Sequence, residues 1–377
     1  MRFADIPGHN EIKQHLLQMA SAGRLPHALL LSGPEGTGKL SLARALAQYL
    51  QCPHRTASDS CGHCPSCVQH QSLNHADMHY VFPVVKKKSE HLEVSADYMD
   101  RWREFTQGSA YASWQRWLDT IGAGNSRPQI YVEEAANILR VANMSNYSSP
   151  VKIVLIWLPE KMNPEAANKL LKIIEEPWED TCFIMVSNEP GRILPTIYSR
   201  TQRVTVPGLT ASEIAALLMR DYSIDAQSAA DLARVADGNA CAAIEAIDSR
   251  GETAEMASIF REVMRKAYSR DVKGLRELAD KCADMGREKN CRLLEYFLTQ
   301  VRENFIYNLA MPQLSRMTTD EENFSRRFSP FINAANVEEI VSDFDMAIQH
   351  IARNANARIV MFDTFLRLIV SLIKKPQ

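Results

Sequence analysis

Neither sign of charge dominates this chain of 377 residues: 43 Lys and Arg face 45 Asp and Glu, a formal net charge of −2. A histone-like excess of positive charge is thereby excluded, while a local basic patch is not. No apolar run is long enough to span a bilayer. The longest, Ile359 to Ile373, falls short of the roughly 20 residues required and is interrupted by Asp363 and Arg367. The opening MRFADIPGHNE lacks the charged start and apolar centre of a secretory signal. Internal repeats and low-complexity stretches are absent. Hydrophobic residues at 46% and charged residues at 23% argue against a disordered or collagen-like chain. The expectation is a cytoplasmic globular protein of two to three domains, at about 150 residues each. In that compartment the eight cysteines are metal ligands or buried thiols rather than disulfides.

Residues 28–32 (ALLLS) are a short apolar run, followed by GPEGTGK and an amphipathic stretch from Leu40 to Leu50. That order reads strand, Gly-rich loop, helix. Further runs of strand character are Tyr80–Val85, Lys152–Leu158, Cys182–Ser187 and Gln202–Val206, with helical patterns between several of them, notably Asn163–Glu176. Alternation of this kind predicts an α/β domain with a mostly parallel sheet. Pro207-Gly208 closes it, and the remainder reads as helical. Three parts are expected: an α/β domain over 1–207, a small helical module over 208–249, and a helical C-terminal domain over 250–377. Residues 86–129, with Lys86-Lys87-Lys88, Tyr98, Trp102, Trp114 and Trp117, read as an insertion holding one or two short helices. Trp114 and Trp117, three apart on a helix, suit a core or docking face better than a base-stacking platform.

Gly33-Pro34-Glu35-Gly36-Thr37-Gly38-Lys39 matches the phosphate-loop pattern GxxxxGK in its strand–loop–helix setting. Backbone N–H groups freed by Gly33, Gly36 and Gly38, with that of Thr37, can cradle phosphate oxygens at a helix N-terminus, and Lys39 can reach the outer phosphates. Two parts of a hydrolytic site are missing. The Mg²⁺-binding hydroxyl should follow the lysine, but Leu40 stands there, and Ser41 is turned about 100° away on a helix. The acidic pair expected at the end of a later strand is also absent, because Lys152–Ile156 runs into Trp157-Leu158-Pro159 before Glu160. Two readings stand: a Gly-rich turn kept for folding, or a nucleotide cradle without turnover.

Cys61, Cys64 and Cys67 form CxxCxxC, with Cys52 nine residues earlier. Four thiolates so spaced can close a tetrahedral shell around one structural Zn²⁺. Bare thiols and an iron–sulfur cluster are the alternatives. His54, His63 and His70 are alternative ligands, or ordinary surface histidines. Cys182, Cys241, Cys282 and Cys291 are scattered and read as buried thiols.

Arg24-Leu25-Pro26-His27-Ala28, the phosphate loop and the Cys52/Cys61/Cys64/Cys67 insert after its helix together resemble bacterial clamp-loader subunits of the AAA+ class. So do Ala166-Ala167-Asn168-Lys169-Leu170-Leu171-Lys172-Ile173-Ile174-Glu175-Glu176-Pro177 and Asn354-Ala355-Asn356-Ala357-Arg358. The likeness spans most of the chain except 86–129. It implies an AAA+ P-loop domain with a zinc insert, a small helical lid and an all-α collar. Locally, Asn163 suits an N-cap, Pro164 a first helical position and Pro177 a helix stop, so that segment also reads as a plain core helix.

The family contains ATP-hydrolysing motors and a subunit with a degraded ATP site, and the missing hydroxyl and acids make this chain resemble the latter. Ile197-Tyr198-Ser199-Arg200-Thr201 resembles the family's Ser-Arg-Cys motif, with Thr201 in place of Cys. The resemblance implies that Arg200 reaches a neighbouring subunit's ATP as an arginine finger; read alone, it is a solvated arginine at a helix end. Ser187 or Asn188 lies at the family's first sensor. Gly238-Asn239-Ala240-Cys241 lacks the arginine of the second. The implied role is that of a non-hydrolysing stator in the clamp loader of DNA polymerase III, in DNA replication. The implied partners are motor subunits, a delta subunit, the sliding clamp and primer–template DNA, with no membrane. Two rivals are an active AAA+ ATPase and a nucleic-acid module built on the zinc insert and Lys86–Lys88.

Overall fold

The computed structural model describes residues 1–87, 92–107, 110–111, 113–178, 180–311 and 314–374. Lys88, the last residue of the basic run, lies outside them. The chain divides into two compact units, Met1–Ile244 and Glu245–Gln377.

In the first unit the strands β1 (Ala28–Ser32), β2 (Met78–Val81), β3 (Lys152–Trp157), β4 (Thr181–Ser187) and β5 (Gln202–Thr205) form one sheet in the order β2–β3–β4–β1–β5. Every pairing is parallel. A parallel sheet is covered on both faces, which is why β1, β3 and β4 are buried at every position. Alternation of side chains sorts them between two cores. Leu29, Leu31, Ile153, Leu155, Cys182 and Ile184 join one cluster, with α2 (Lys39–Gln51) and the aromatics of the insertion. Leu30, Val154, Ile156, Phe183 and Met185 join the other, with α6 (Val132–Ala142) and α7 (Pro164–Glu175). Asn163 caps α7 by accepting from the Ala166 N–H at 2.7 Å, and Pro164 fills the first helical position.

The strand expected over Tyr80–Val85 is shifted. β2 ends at Val81, because Pro83 has no N–H for the ladder and the chain turns away after it. Phe82 then stacks on Trp102 at 4.1 Å. The insertion supplies α4 (Met99–Gln107) and α5 (Trp114–Thr120). Its Trp102, Phe105 and Trp117 are wholly buried around Trp157, and Trp117 Nε1 donates to the Pro83 carbonyl at 2.8 Å. Trp117→Ala would leave a large void and an unpaired carbonyl. It is expected to cost about 3–5 kcal/mol in denaturant unfolding; a loss near zero would contradict the burial seen here.

Other short helices of this unit are α1 (Asn10–Ser21), α3 (Pro65–Gln71), α8 (Pro195–Tyr198), α9 (Ala211–Tyr222) and α10 (Ala226–Ala236); α11 (Ala240–Asp248) contains the point of division. The second unit is helical: α12 (Arg250–Tyr268), α13 (Val272–Asp284), α14 (Arg287–Asn308), α15 (Thr319–Phe328), α16 (Val337–Ala352) and α17 (Ala357–Ser371). Phe260, Phe297, Phe344 and Phe365 centre its core. Asn356 caps α17 through the Ile359 N–H. Among the described residues no helix is long and apolar enough to cross a membrane.

Candidate functional site

The P-loop joins β1 to α2 at the carboxyl end of the sheet, where open α/β sheets bind ligands. Three glycines make the turn. Gly38 (φ +80°) caps α2, and a Cβ on Gly36 (φ +75°) would fall 1.7 Å from Asn239 Oδ1. The cradle is thus formed, but the chain itself fills it. Tyr111 lies 3.1 Å from where a Gly38 Cβ would stand. Ser41 Oγ donates to the Ala110 carbonyl, and the Trp114 N–H donates to Glu35. From the other side the Ala240 N–H donates to the Gly36 carbonyl at 3.0 Å. His9 Nε2 lies 2.8 Å from the Thr37 carbonyl oxygen. The space left between loop, Ala110, Trp157 and Asn188 is about 10 Å³. That is room for roughly one water, against some 300 Å³ or more for a small-molecule site.

Lys39 is buried and folded onto its own loop, donating to the Pro34 carbonyl and, at 3.3 Å, to Thr37 Oγ1. Burial pushes its pKa down to about 8, against the opposing pull of Glu160 and Glu35. Leu40 is packed into the core, so the hydroxyl position belongs to the hydrophobic cluster. Trp157 pairs in register with Val186 beside the loop, where an acid would face the metal. Glu160 is otherwise engaged: Oε1 accepts the N–H groups of Asn188 at 2.9 Å and Glu189 at 3.1 Å, fixing the turn after β4.

Arg200 lies at the other end of the sheet. It precedes β5, whose first residue, Gln202, is level with Leu29 near the start of β1. The P-loop leaves β1 three residues further on, about 10 Å along the strand. Arg200 therefore does not converge with its own P-loop. Its side chain is about one-third exposed (33%), with Nε 3.1 Å from Glu175 Oε2 at the end of α7. Nη1 donates to the Thr196 carbonyl at 2.9 Å.

The four sulfurs of Cys52, Cys61, Cys64 and Cys67 all lie within 4.8 Å of one another. Cys52 is 3.6 Å from Cys61 and 3.9 Å from Cys64, and Cys61 is 3.9 Å from Cys67. Four sulfurs about 2.3 Å from a tetrahedral Zn²⁺ would stand about 3.8 Å apart, so the set can hold one metal ion. Cys52 caps α2 and Cys64 caps α3. The Cys61 and Cys64 N–H groups point at the sulfurs of Cys52 and Cys61. The cluster lies at the far end of α2, whose 13 residues place it some 20 Å from Lys39. His54 and His63 are exposed. His70 is not the surface residue expected. It is buried, 2.7 Å from Gln51 Oε1 and stacked on His75, and burial, then His75, pushes its pKa down to about 3.

Lys86 is paired with Glu133 at 2.7 Å and sits over Tyr131, while Lys87 donates to the Ile121 carbonyl. His9, Ala110, Tyr111 and Asn239 were not marked as site residues by the sequence. Each reaches the loop through a long-range contact with no local pattern.

A parallel sheet with a Gly-rich turn between its first strand and a buried helix defines a P-loop α/β protein. More narrowly, the family model described as DNA polymerase III, delta subunit, matches residues 8–210, and the chain belongs to this family of clamp-loader proteins. It is 30% identical over 221 residues to DNA polymerase III subunit gamma/tau of Mycobacterium tuberculosis, covering 58% of this chain and 31% of that protein. It is 29% identical over 197 residues to DNA polymerase III subunit delta' of Pseudomonas aeruginosa, covering 52% and 48%. The matches span about a third to a half of the length of these curated relatives. Among solved structures, a DNA polymerase III gamma subunit-related protein of Thermotoga maritima aligns over 95% of this chain and 99% of its own, at 13% identity and a TM-score of 0.38.

Proposed function

We propose that the chain is a delta-prime-type stator of the DNA polymerase III clamp loader, which hydrolyses no ATP and supplies Arg200 in trans to a neighbouring subunit's ATP. The observation that carries this reading is the separation of its two half-sites. The P-loop is closed by Ala110, Tyr111 and Asn239, while Arg200 is held, partly exposed, at the opposite end of the sheet. An arginine so placed does not reach its own P-loop and can serve another subunit's phosphates. The four cysteines would hold a structural Zn²⁺. Residues 1–207 would act as the AAA+ domain, 208–249 as its lid and 250–377 as the collar. Motor subunits, a delta subunit, the sliding clamp and primer–template DNA would be its partners in the cytoplasm.

The test is ATP turnover of the loader reconstituted with its motors, clamp and primed DNA. Lys39→Ala in this chain is expected to leave turnover unchanged, and Arg200→Ala to remove at least the share of the site it serves, with assembly checked for both. Full turnover by an intact Arg200→Ala complex would end the reading.

The closed cradle has its own expected result. A fluorescent ATP analogue titrated into the purified chain should show no saturable binding up to about 1 mM, the level at which affinity is worth only about 4 kcal/mol. Micromolar saturation would show that Ala110, Tyr111 and Trp114 yield to nucleotide.

A further inference from the structure

The structure assigns Glu175 as the residue that positions Arg200 toward the nucleoside triphosphate of an adjacent subunit. This rests on the trans role proposed for Arg200. Glu175 ends α7 and Arg200 follows α8, so the two side chains are brought together by the packing of these helices rather than by sequence proximity. Two groups hold the guanidinium at two of its nitrogens: the Glu175 carboxylate at Nε and the Thr196 carbonyl at Nη1. Nε is shielded from solvent and makes no directed hydrogen bond, so the Glu175 contact is one of charge. A guanidinium has five N–H donors. With Nε against the Glu175 carboxylate and one hydrogen bond from Nη1, the plane of the Arg200 group is fixed, and being one-third exposed it keeps donors for the planar recognition of phosphate oxygens. The other arginines nearby are held differently. Arg192 pairs with Glu189 three residues away, and Arg203 lies on the Tyr198 ring with Nη1 3.0 Å from its hydroxyl.

The ion pair is partly exposed, with side-chain accessibilities of 33% and 54%. Its effect on the population of the aimed rotamer is correspondingly modest. Losing it should lower turnover at the served site about two- to fivefold, the span of a partly exposed ion pair.

The experiment compares reconstituted complexes carrying wild-type chain, Glu175→Ala, Glu175→Gln, Arg200→Ala and the double variant Glu175→Ala/Arg200→Ala, each checked for assembly. Both single changes at Glu175 should lower kcat about two- to fivefold and leave the KM for ATP unchanged, because charge rather than shape holds the guanidinium. The double variant should be no slower than Arg200→Ala alone, since a residue acting only through another adds nothing once that one is gone. Wild-type kcat in both Glu175 variants, a raised kcat, or a further loss in the double variant would each overturn the assignment. An Arg200→Ala complex with full turnover would instead overturn the trans reading beneath it.

Discussion

Arg200→Ala is expected to slow hydrolysis at the neighbouring site that it serves by about 10³- to 10⁵-fold, the range measured for arginine fingers supplied in trans. The magnitude follows from charge. As the γ-phosphoryl group transfers, negative charge spreads over its oxygens, and a guanidinium held in place stabilises that charge without reorganising. Bulk turnover reports this in a way that depends on coupling. Where sites fire in sequence, the whole complex stalls at the one left without its arginine. Where they fire independently, only that site's share is lost. Either way turnover falls, wholly in the first case and by that site's share in the second, without a change in ATP affinity at the remaining sites. Arg203→Ala is the matched control: it removes a nearby positive charge that is already spent on Tyr198. A loss of the same size in Arg203→Ala would mean that general charge, not a directed finger, sustains turnover.

The elements that carry this reading were legible to different degrees. Helix α7 could be bounded from its own residues, because Asn163, Pro164 and Pro177 act within a turn of themselves. The cysteine cluster was equally local, since two CxxC turns bring their sulfurs together whatever surrounds them. Leu40 and Trp157 were visible as residues standing where a hydrolysing P-loop protein would carry a hydroxyl and an acid. Why those residues are there was not visible. Trp157 is an anchor for Trp102, Phe105 and Trp117 of the insertion, residues that precede it by roughly 40 to 55 positions along the chain. The closure of the P-loop was hidden for the same reason. Ser41 meets Ala110 across 69 residues, and Glu35 meets Trp114 across 79. The end of β2 was misplaced because apolar character continues through Phe82, Val84 and Val85 while Pro83 interrupts the ladder. Apolar pattern reports burial, and here the burial was against aromatics rather than in the sheet.

Removing the Zn²⁺ that the four cysteines are proposed to hold is the other change expected to have a large effect, and it should act on a limited part of the molecule. The purified chain should contain one zinc per molecule by elemental analysis, and no visible absorbance of the kind an iron–sulfur cluster gives. Zinc bound by four thiolates contributes about 10–16 kcal/mol in small metal-dependent domains, which is as much as or more than the whole stability of an ordinary domain. None of residues 53–71 joins the main hydrophobic cluster of the unit. Among their described contacts, the Cys52, Cys64 and Cys67 sulfurs are the buried apolar cluster, with Cys61 beside it. Polar ties remain from Gln48 to Ser60, from Ser66 to the Gln51 carbonyl and from Gln51 to His70, and the Asp59 carboxylate accepts the Phe3 and Ala4 N–H groups. By contrast α2, on which the module is mounted, is buried along its whole length by the sheet and the insertion. Chelation, or Cys67→Ser, should therefore abolish hydrogen-exchange protection over 53–71 while the amides of β1, β3 and β4 stay protected. Acidification should do the same, because protons compete with zinc for the thiolates. Protection unchanged by chelation, in a chain shown to be free of metal, would mean that those polar ties alone hold the loop and that the four thiols are a packing cluster.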